Sequence, residues 1–385
     1  MTKKLYISVI CGGQSTEHEI SIQSAKNIVA ALDLNKYIIS IVFIDQQGKW
    51  YLIDKYKEFL NCNLEDLIKV GLALPITITL GELKQSWQFL NSNKRHLVDC
   101  IFPMVHGTQG EDGTLQGFFE LLNLPYVGAD MQSSAICMQK DITKSLLRAA
   151  GIPVVDWYAL RSSDGWKGLY QKLATAWHTL ELFVKAVSLG SSIGTLSIKT
   201  EHEFKKAIEM VFTYDDRLII EPRILGREIE CAVLGNGHPK ASLPGEIILH
   251  HEYYSYEAKY IDSNGATTLT SIDLPKIIIK RIQQMAIDAF KVVHCSGMAR
   301  VDFFISNKNK LMINEINTIP GFTNISMYPK MWEATGLPCR DLLDQLIALA
   351  LKRHREQKKL IRYYQVYPSH SHDLIRDSIQ QRTVS

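Results

Sequence analysis

Residues 298–327, MARVDFFISNKNKLMINEINTIPGFTNISM, constrain the fold more than any other stretch of this chain. An apolar run over 300–305, the turn-forming Ser306-Asn307-Lys308-Asn309 and a second apolar run over 311–316 predict a β-hairpin. Polar groups interrupt it where a core strand should have none. Asp302 falls on the first strand, and Glu315 and Asn317 fall on or just after the second. Strand side chains alternate, so 315 and 317 share a face that 302 can oppose. Two carboxylates and an amide oxygen are hard ligands of the kind Mg²⁺ takes, with phosphate oxygens and water completing its shell. Arg300 lies two residues from Asp302 on the same face, where a guanidinium suits a substrate that gathers negative charge in its transition state. A solvent-facing polar strand side with one ion pair accounts for the same residues equally well.

At 385 residues the chain has room for two or three domains. No apolar run approaches the roughly 20 residues of a membrane span, so no membrane partner is expected. The amino terminus, MTKKLYISVICGG, carries an apolar run too short for a signal-peptide core and reads as a first strand. Seven scattered cysteines, without a CxxC pair, read as reduced thiols of a cytoplasmic protein. The net charge of +3 belongs to the end of the chain, since residues 352–385 hold 8 Lys and Arg against 3 Asp and Glu. The remaining body is slightly acidic, so no nucleic-acid role is expected of it.

Along the chain, a strand at 5–10, a loop at 11–20, a helix from about Ser21 with Ile22, Ala25, Ile28, Val29 and Leu32 on one stripe, and a strand at 38–44 predict a doubly wound α/β start. Residues 46–95 are mixed and read in part as an insertion. A strand at 98–104 leads into the glycine-rich HGTQGEDG, followed by helices at 114–122 and 132–149. A second unit reads as strand 154–160, helix 166–179, strand 182–187, loop 188–194, strand 195–198, helix 201–213 and strand 218–222. A third has a strand at 228–234, a long loop over 245–270, a helix at 275–294, the hairpin, and a last helix from Arg340. The expected division is 1–104, an α/β domain; 105–225, a central unit; 226–351, a unit carrying the hairpin; and 352–385, a basic tail.

Several stretches could carry chemistry. In LFVKAVSLGSSIGT, 182–195, Lys185 stands inside an apolar strand and precedes a small-residue loop. Backbone N–H groups of such a loop approach phosphates closely, and the lysine adds a point charge. A flexible hairpin turn explains the loop but not the lysine. In IIEPRILGREIE, 219–230, a Pro-broken linker joins two strands; it could offer backbone groups to an adenine and Glu228 to a ribose, or be a plain crossover between sheets. In GGQSTEHE, 12–19, a first strand meets a first helix, where α/β domains bind small ligands. Glu17 and Glu19 there favour an ammonium over a phosphate, and a solvated acidic cap is the plain alternative. The run YYSYEAKY, 253–260, lies in a long loop that suits a lid or covers a small satellite core. After the hairpin, Gly321 can expose its N–H to an oxyanion and Ser326 can hold a carboxylate if a helix starts nearby; a surface turn is the alternative.

The order of these pieces is more telling than any one of them. Phosphate lysine and Gly/Ser loop, adenine linker, lid, then Asp…Glu-x-Asn is the order of an ATP-grasp domain. The stretches GGQSTEHEIS, HGTQGEDGTLQGFFELLNLPYVG, KAVSLGSSIG, YEAKY, ARVDF and NEINTIPGFTNIS resemble those of D-alanine–D-alanine ligases over about residues 5–350.

The resemblance implies an ATP-grasp fold, α/β and in part α+β, with an amino-terminal doubly wound domain. It implies a cytoplasmic, homodimeric ligase that takes ATP, D-alanine and two Mg²⁺ ions, with Mn²⁺ as a substitute, for peptidoglycan synthesis. Lys140 and Lys185 would hold the ATP phosphates, and Glu221 and Glu228 would contact adenine and ribose. Asp302, Glu315 and Asn317 would bind the metals. Glu17 would take the ammonium of the first D-alanine, with His106 near that substrate, and Ser326 the carboxylate of the second, with Met327 beside it. Glu17, Ser191 and Tyr260 would tie loop to lid, and Lys259 would reach the γ-phosphate. Arg300 and the N–H of Gly321 would hold the tetrahedral oxyanion. Pro222 departs from the family pattern and has no N–H, so the adenine donor must come from a neighbour such as Ile224. Met327 stands where leucine is usual. The rival readings are a ligase joining D-alanine to D-lactate or D-serine, and a non-catalytic ATP-binding regulator.

Overall fold

The computed structural model describes residues 3–90, 92–190, 194–249 and 266–361. Ser191, Lys259, Tyr260, the rest of the 253–260 run and the chain after 361 lie outside the described residues.

The amino-terminal sheet is built from β1 (Leu5–Gly12), β2 (Tyr37–Ile44), β3 (Trp50–Ile53), β4 (Leu74–Ile78), β5 (Trp87–Phe89), β6 (Arg95–His96) and β7 (Cys100–Pro103). Helices α1 (His18–Ala31), α2 (Tyr56–Asn61) and α3 (Leu64–Lys69) intervene. The strand order is β6-β5-β4-β3-β2-β1-β7. Only β2-β1-β7 is parallel. From residue 7 to its end β1 is continuously buried, the pattern of a parallel strand covered on both faces. The expected insertion at 46–95 is the antiparallel extension of this sheet, added strand by strand from β3 to β6.

Helix α1 starts three residues before the expected Ser21 and buries Ser21 and Ser24 alongside Ala25, Ile28 and Val29. Ser21 Oγ accepts from the Gly12 N–H (2.8 Å) and donates to the Met104 carbonyl, which binds the start of the helix to the ends of two strands. Gly12 has φ +90° and a Cβ there would sit 2.1 Å from the Ile44 carbonyl, so the turn out of β1 needs glycine.

Helices α4 (Thr114–Leu121), α5 (Met131–Met138) and α6 (Lys140–Ala149) follow. The single helix expected over 132–149 is two. Gln139 adopts an extended ψ of 93° between them. Its side chain donates to Ser188 Oγ (3.0 Å) and accepts from Arg217. These tertiary bonds outweigh the local helical preference, and the break puts Lys140 in the first turn of α6.

The second sheet comprises β8 (Tyr158–Arg161), β9 (Leu182–Ala186), β10 (Thr195–Ile198) and β11 (Arg217–Pro222), with α7 (Leu169–Trp177) and α8 (Glu201–Val211). Its order is β10-β9-β11-β8, all antiparallel. The strand expected over 154–160 begins only at Tyr158, because Val154 bridges Ile313 of another sheet and the Val155 N–H donates to the Ile313 carbonyl (3.1 Å).

The third sheet contains β12 (Gly226–Gly235), β13 (Lys240–Ala241), β14 (Gly245–Leu249), β15 (Ala266–Leu269), β16 (Gly297–Ser306) and β17 (Leu311–Asn317). Its path is β15-β14-β12-β16-β17, with β13 beside β12. The flanks of the long loop expected over 245–270 are therefore the paired strands β14 and β15. Helix α9 (Lys276–Val292) packs Ile282, Ala286 and Phe290 into one core with Cys231, Val233 and Val301. The last helices, α10 (Met327–Ala334) and α11 (Cys339–Gln357), belong elsewhere. Tyr328, Met331, Leu342 and Leu346 share a core with Ile7, Ile39 and Phe102 of the first sheet. Helix α11 also runs past the expected end of the body at 351. Arg353 donates to the carbonyls of Gly128 (2.6 Å) and Tyr126 (2.9 Å) and stacks 4.5 Å from the Tyr126 ring, so the first turns beyond 351 are part of the body.

Candidate active site

Strand β11 ends the second sheet, β12 opens the third, and the 223–225 linker passes between them. At this seam lies a cleft of about 230 Å³. Lys140, Lys185, Glu221, Ile224, Glu228, Arg300, Asp302 and Glu315 all line it. Residues expected to hold nucleotide thus meet two of the three expected to hold metal, Asp302 and Glu315, around one cavity, although they come from α6, β9, β11, the 223–225 linker, β12, β16 and β17. Asn317 is not among its lining.

Charge is concentrated at the floor. Glu221 is buried with one oxygen 2.7 Å from Lys144 Nζ and the other 2.6 Å from Lys185 Nζ. Burial alone would raise the Glu221 pKa; the two ammoniums outweigh it and hold the carboxyl well below its usual range. Burial likewise lowers Lys185, and Glu221 overcomes this and raises it. Lys140, 3.9 Å from Glu315, remains lowered by burial. An anion entering the cleft meets lysines with little competing water, where charge interactions are strong.

The hairpin forms as expected. Asp302 pairs directly with Glu315, and Arg300 with Asn317. A bulge between Asp302 and Phe303 shifts the register and re-aims the strand beside the cleft. Arg300 binds both Asp302 oxygens (2.7 Å each) and lies 3.3 Å from Glu230. Burial would lower Arg300, but Asp302 and Glu230 outweigh it, so it stays charged. Asn317 Oδ1 accepts from the Ile319 N–H (3.0 Å). Among the described residues no three His, Cys, Asp or Glu side chains form a complete metal cage. Two carboxylates and an amide oxygen fit a hard divalent ion that takes its other ligands from phosphate and water.

A second cluster gathers loops from distant parts of the chain. Glu17, at the start of α1, is buried. A Cβ on Gly107 would meet its Oε2 at 2.7 Å, and one on Gly190 would lie 3.7 Å from it, so the loops at 107 and 190 close around this carboxylate. Ser15 Oγ donates to the His106 carbonyl (2.8 Å). The His106 ring lies 3.3 Å from Ser24 Oγ and 3.7 Å from Glu111. Burial lowers the His106 pKa, but Glu111, Glu17 and the Ile319 backbone outweigh it and leave it raised. Ser24 Oγ also accepts from the Phe322 N–H (3.2 Å), which anchors the 319–326 loop to α1. Ser326 stands at the N-cap position of α10 with no side-chain bond to the helix, and its Oγ accepts from the Thr323 N–H (2.9 Å). A Cβ on Gly321 would lie 2.8 Å from Ser326 Oγ, so those two positions adjoin. Met327, expected among the substrate contacts, instead has its side chain in the core, 3% exposed and against Gly245. Helix α10 turns its first residue inward to pack on the sheets.

Sequence reasoning missed four residues of this region: Lys144, Glu230, Glu111 and Ser24. Two had a legible signal. Lys144 follows Lys140 by one helical turn, and Glu230 follows Glu228 by one strand period. Ser24 and Glu111 carry no such signal.

Residues 6–129 match the family model described as D-ala D-ala ligase N-terminus, and residues 146–348 match D-ala D-ala ligase C-terminus. The D-alanine–D-alanine ligase of Coxiella burnetii is 68% identical over 367 residues, covering 95% of this chain and 99% of that one. The solved structure of the Coxiella burnetii ligase superposes with a TM-score of 0.86 at 61% identity over 99% of this chain and all of that one. The VanG D-Ala:D-Ser ligase from Enterococcus faecalis gives 0.80 at 35% identity, over 90% of this chain and all of that one. The Bacillus anthracis D-alanine–D-alanine ligase complexed with ATP gives 0.67 at 30%, over 92% of this chain and 99% of that one.

Proposed function

The chain belongs to the D-alanine–D-alanine ligase family, and from that premise we propose how its own residues carry out the reaction. The protein is an ATP-dependent ligase that joins two D-alanines into D-alanyl-D-alanine. The observation that carries the assignment of roles is the convergence of Lys140, Lys185, Arg300, Asp302 and Glu315 on one cleft.

A carboxylate is a poor electrophile. Phosphoryl transfer from ATP to the first D-alanine gives an acyl phosphate and ADP, the amine of the second D-alanine attacks its carbonyl, and phosphate leaves. In this reading ATP lies at the seam of the second and third sheets. Lys140 and Lys185 meet its phosphates, the 223–225 linker with Ile224 meets the adenine, and Glu228 meets the ribose. Glu221, which lines the same cleft, meets the adenine and also holds Lys185. Asp302, Glu315 and Asn317 would hold Mg²⁺, two ions with Mn²⁺ as a substitute, and when bound it neutralises charge on the phosphates. The buried Glu17 takes the ammonium of the first D-alanine, with His106 nearby. Ser326, at the amino end of α10, takes the carboxylate of the second, where the helix dipole adds to its hydroxyl. Arg300 and the Gly321 N–H stabilise the oxyanion of the tetrahedral intermediate. Glu17, Ser191 and Tyr260 would tie the small-residue loop to the lid, Lys259 would reach the γ-phosphate, and the lid would keep water from the acyl phosphate.

The same proposal includes the division at 104, 225 and 351, with the helix that reaches Gln357 closing the body, and a cytoplasmic homodimer. Seven unpaired cysteines suit a reducing compartment, and no described helix is long and apolar enough to cross a membrane.

The test is product analysis with ATP, Mg²⁺ and D-alanine in competition with equal D-lactate or D-serine from pH 6 to 9. Tyr260 is uncharged at neutral pH and gives no cation to repel the zwitterionic second D-alanine. The dipeptide is the expected main product at neutral pH. Predominant depsipeptide there would overturn the choice of second substrate.

A further inference from the structure

Lys144 is among the largest fully buried side chains of the protein. It belongs to α6, sits behind Glu221 and does not line the cleft. Its Nζ lies 2.7 Å from Glu221, donates to the Val155 carbonyl (3.3 Å) and stands 6.0 Å from the Trp157 ring. Burying an ammonium is costly, and a core position one turn into a helix is readily filled by an apolar residue. A lysine here therefore calls for a reason that packing does not supply.

Charge balance supplies one. Glu221 spends one oxygen on Lys144 and the other, at 2.6 Å, on Lys185. Without Lys144, its whole charge would fall on Lys185, and a neutral pair offers a phosphate no net attraction. With Lys144 present the trio keeps one positive charge, and the member at the cleft that carries it is Lys185. Holding both carboxylate oxygens also fixes the plane of Glu221 and hence the point from which Lys185 Nζ reaches into the cavity.

We propose that Lys144 is a positioning residue for the nucleotide. It acts through Glu221, cancelling that carboxylate so that Lys185 presents an undiminished charge to the ATP phosphates. This rests on the placement of ATP proposed above.

The test compares KM for ATP and for D-alanine in the full-length wild type, Lys144→Gln, Glu221→Gln, the double variant Lys144→Gln/Glu221→Gln, and Lys185→Gln. Lys144→Gln is expected to raise the KM for ATP about tenfold while the KM for D-alanine moves less than about twofold. Removing the carboxylate as well restores the charge of Lys185, so the double variant should bind ATP better than Lys144→Gln and within about threefold of Glu221→Gln alone. Purely structural damage would not be repaired by a second loss of a buried contact. Should Lys144→Gln fail to fold, the double variant decides: a KM for ATP about tenfold above that of Glu221→Gln alone overturns the proposal. So does a folded Lys144→Gln with unchanged KM for ATP, or one that raises both KM values equally. If Lys185→Gln leaves the KM for ATP unchanged, the placement of ATP itself fails. If Lys185 matters and Lys144 does not, only the inference about Lys144 fails.

Discussion

Glu315 shows how one side chain joins two parts of the site. It pairs with Asp302 across the hairpin and faces Lys140 at 3.9 Å. Its side chain is 32% exposed, so Glu315→Gln should leave the thermal midpoint nearly unchanged. Turnover at limiting Mg²⁺ should fall on the order of a hundredfold, because one anionic ligand is lost from the clamp on the transferring phosphoryl. Wild-type turnover in a folded Glu315→Gln would remove it from the metal site. His106 gives a pH prediction. Its folded pKa is raised despite burial, so the charged ring stabilises the fold fully below its unfolded value of about 6.5 and the contribution is lost as pH rises through the higher folded value. Thermal midpoints across pH 6–9 should therefore contain a downward component that His106→Gln removes. A wild-type profile that superposes on that of the variant would contradict it.

At the scale of elements, the site depends on how strands and helices end. The turn out of β1 carries the chain toward Glu17, and Gly12 permits it because any Cβ would strike the Ile44 carbonyl. Gly12→Ala should cost about 3 kcal/mol in denaturant unfolding and raise the KM for D-alanine, with the KM for ATP less affected because the nucleotide cleft lies in other sheets. Equal stability of the variant would show that the turn relaxes more easily than its contacts imply. The break at Gln139 is the counterpart on the other side of the site. Nothing in MQKDITKSLL interrupts a helical pattern; the interruption comes from Ser188 and Arg217, which lie far along the chain.

Across the whole molecule, the last helices close the structure back onto its beginning. Helix α11 shares the core of the first sheet, and Arg353 fastens it to the 126–128 segment and to Ser296, which precedes β16. Arg353→Ala should lower stability by about 3 kcal/mol, roughly 1 kcal/mol for each of three hydrogen bonds, while kcat and both KM values at low temperature stay near wild type. A loss of activity without loss of stability would instead make this junction part of the active machinery. A chain ended at 351 should show at least the same destabilisation.

Local pattern by itself determined the elements whose signal is short-range. The hairpin of β16 and β17, the strand that holds Lys185 and the long helix before the hairpin follow from alternation and periodicity within a few residues. The order of motifs identified the family and with it the chemistry. What only the tertiary structure decided is everything set by contacts between segments remote in sequence. The split of α5 from α6, the strands flanking 250–265, the inward turn of Met327 and the docking of α11 on the first sheet are of this kind. So is the burial of Lys144 against Glu221. A sequence lists which charges exist. Whether two of them lie 2.7 Å apart and out of water depends on how three sheets pack, and that is where the electrostatics of this cleft is set.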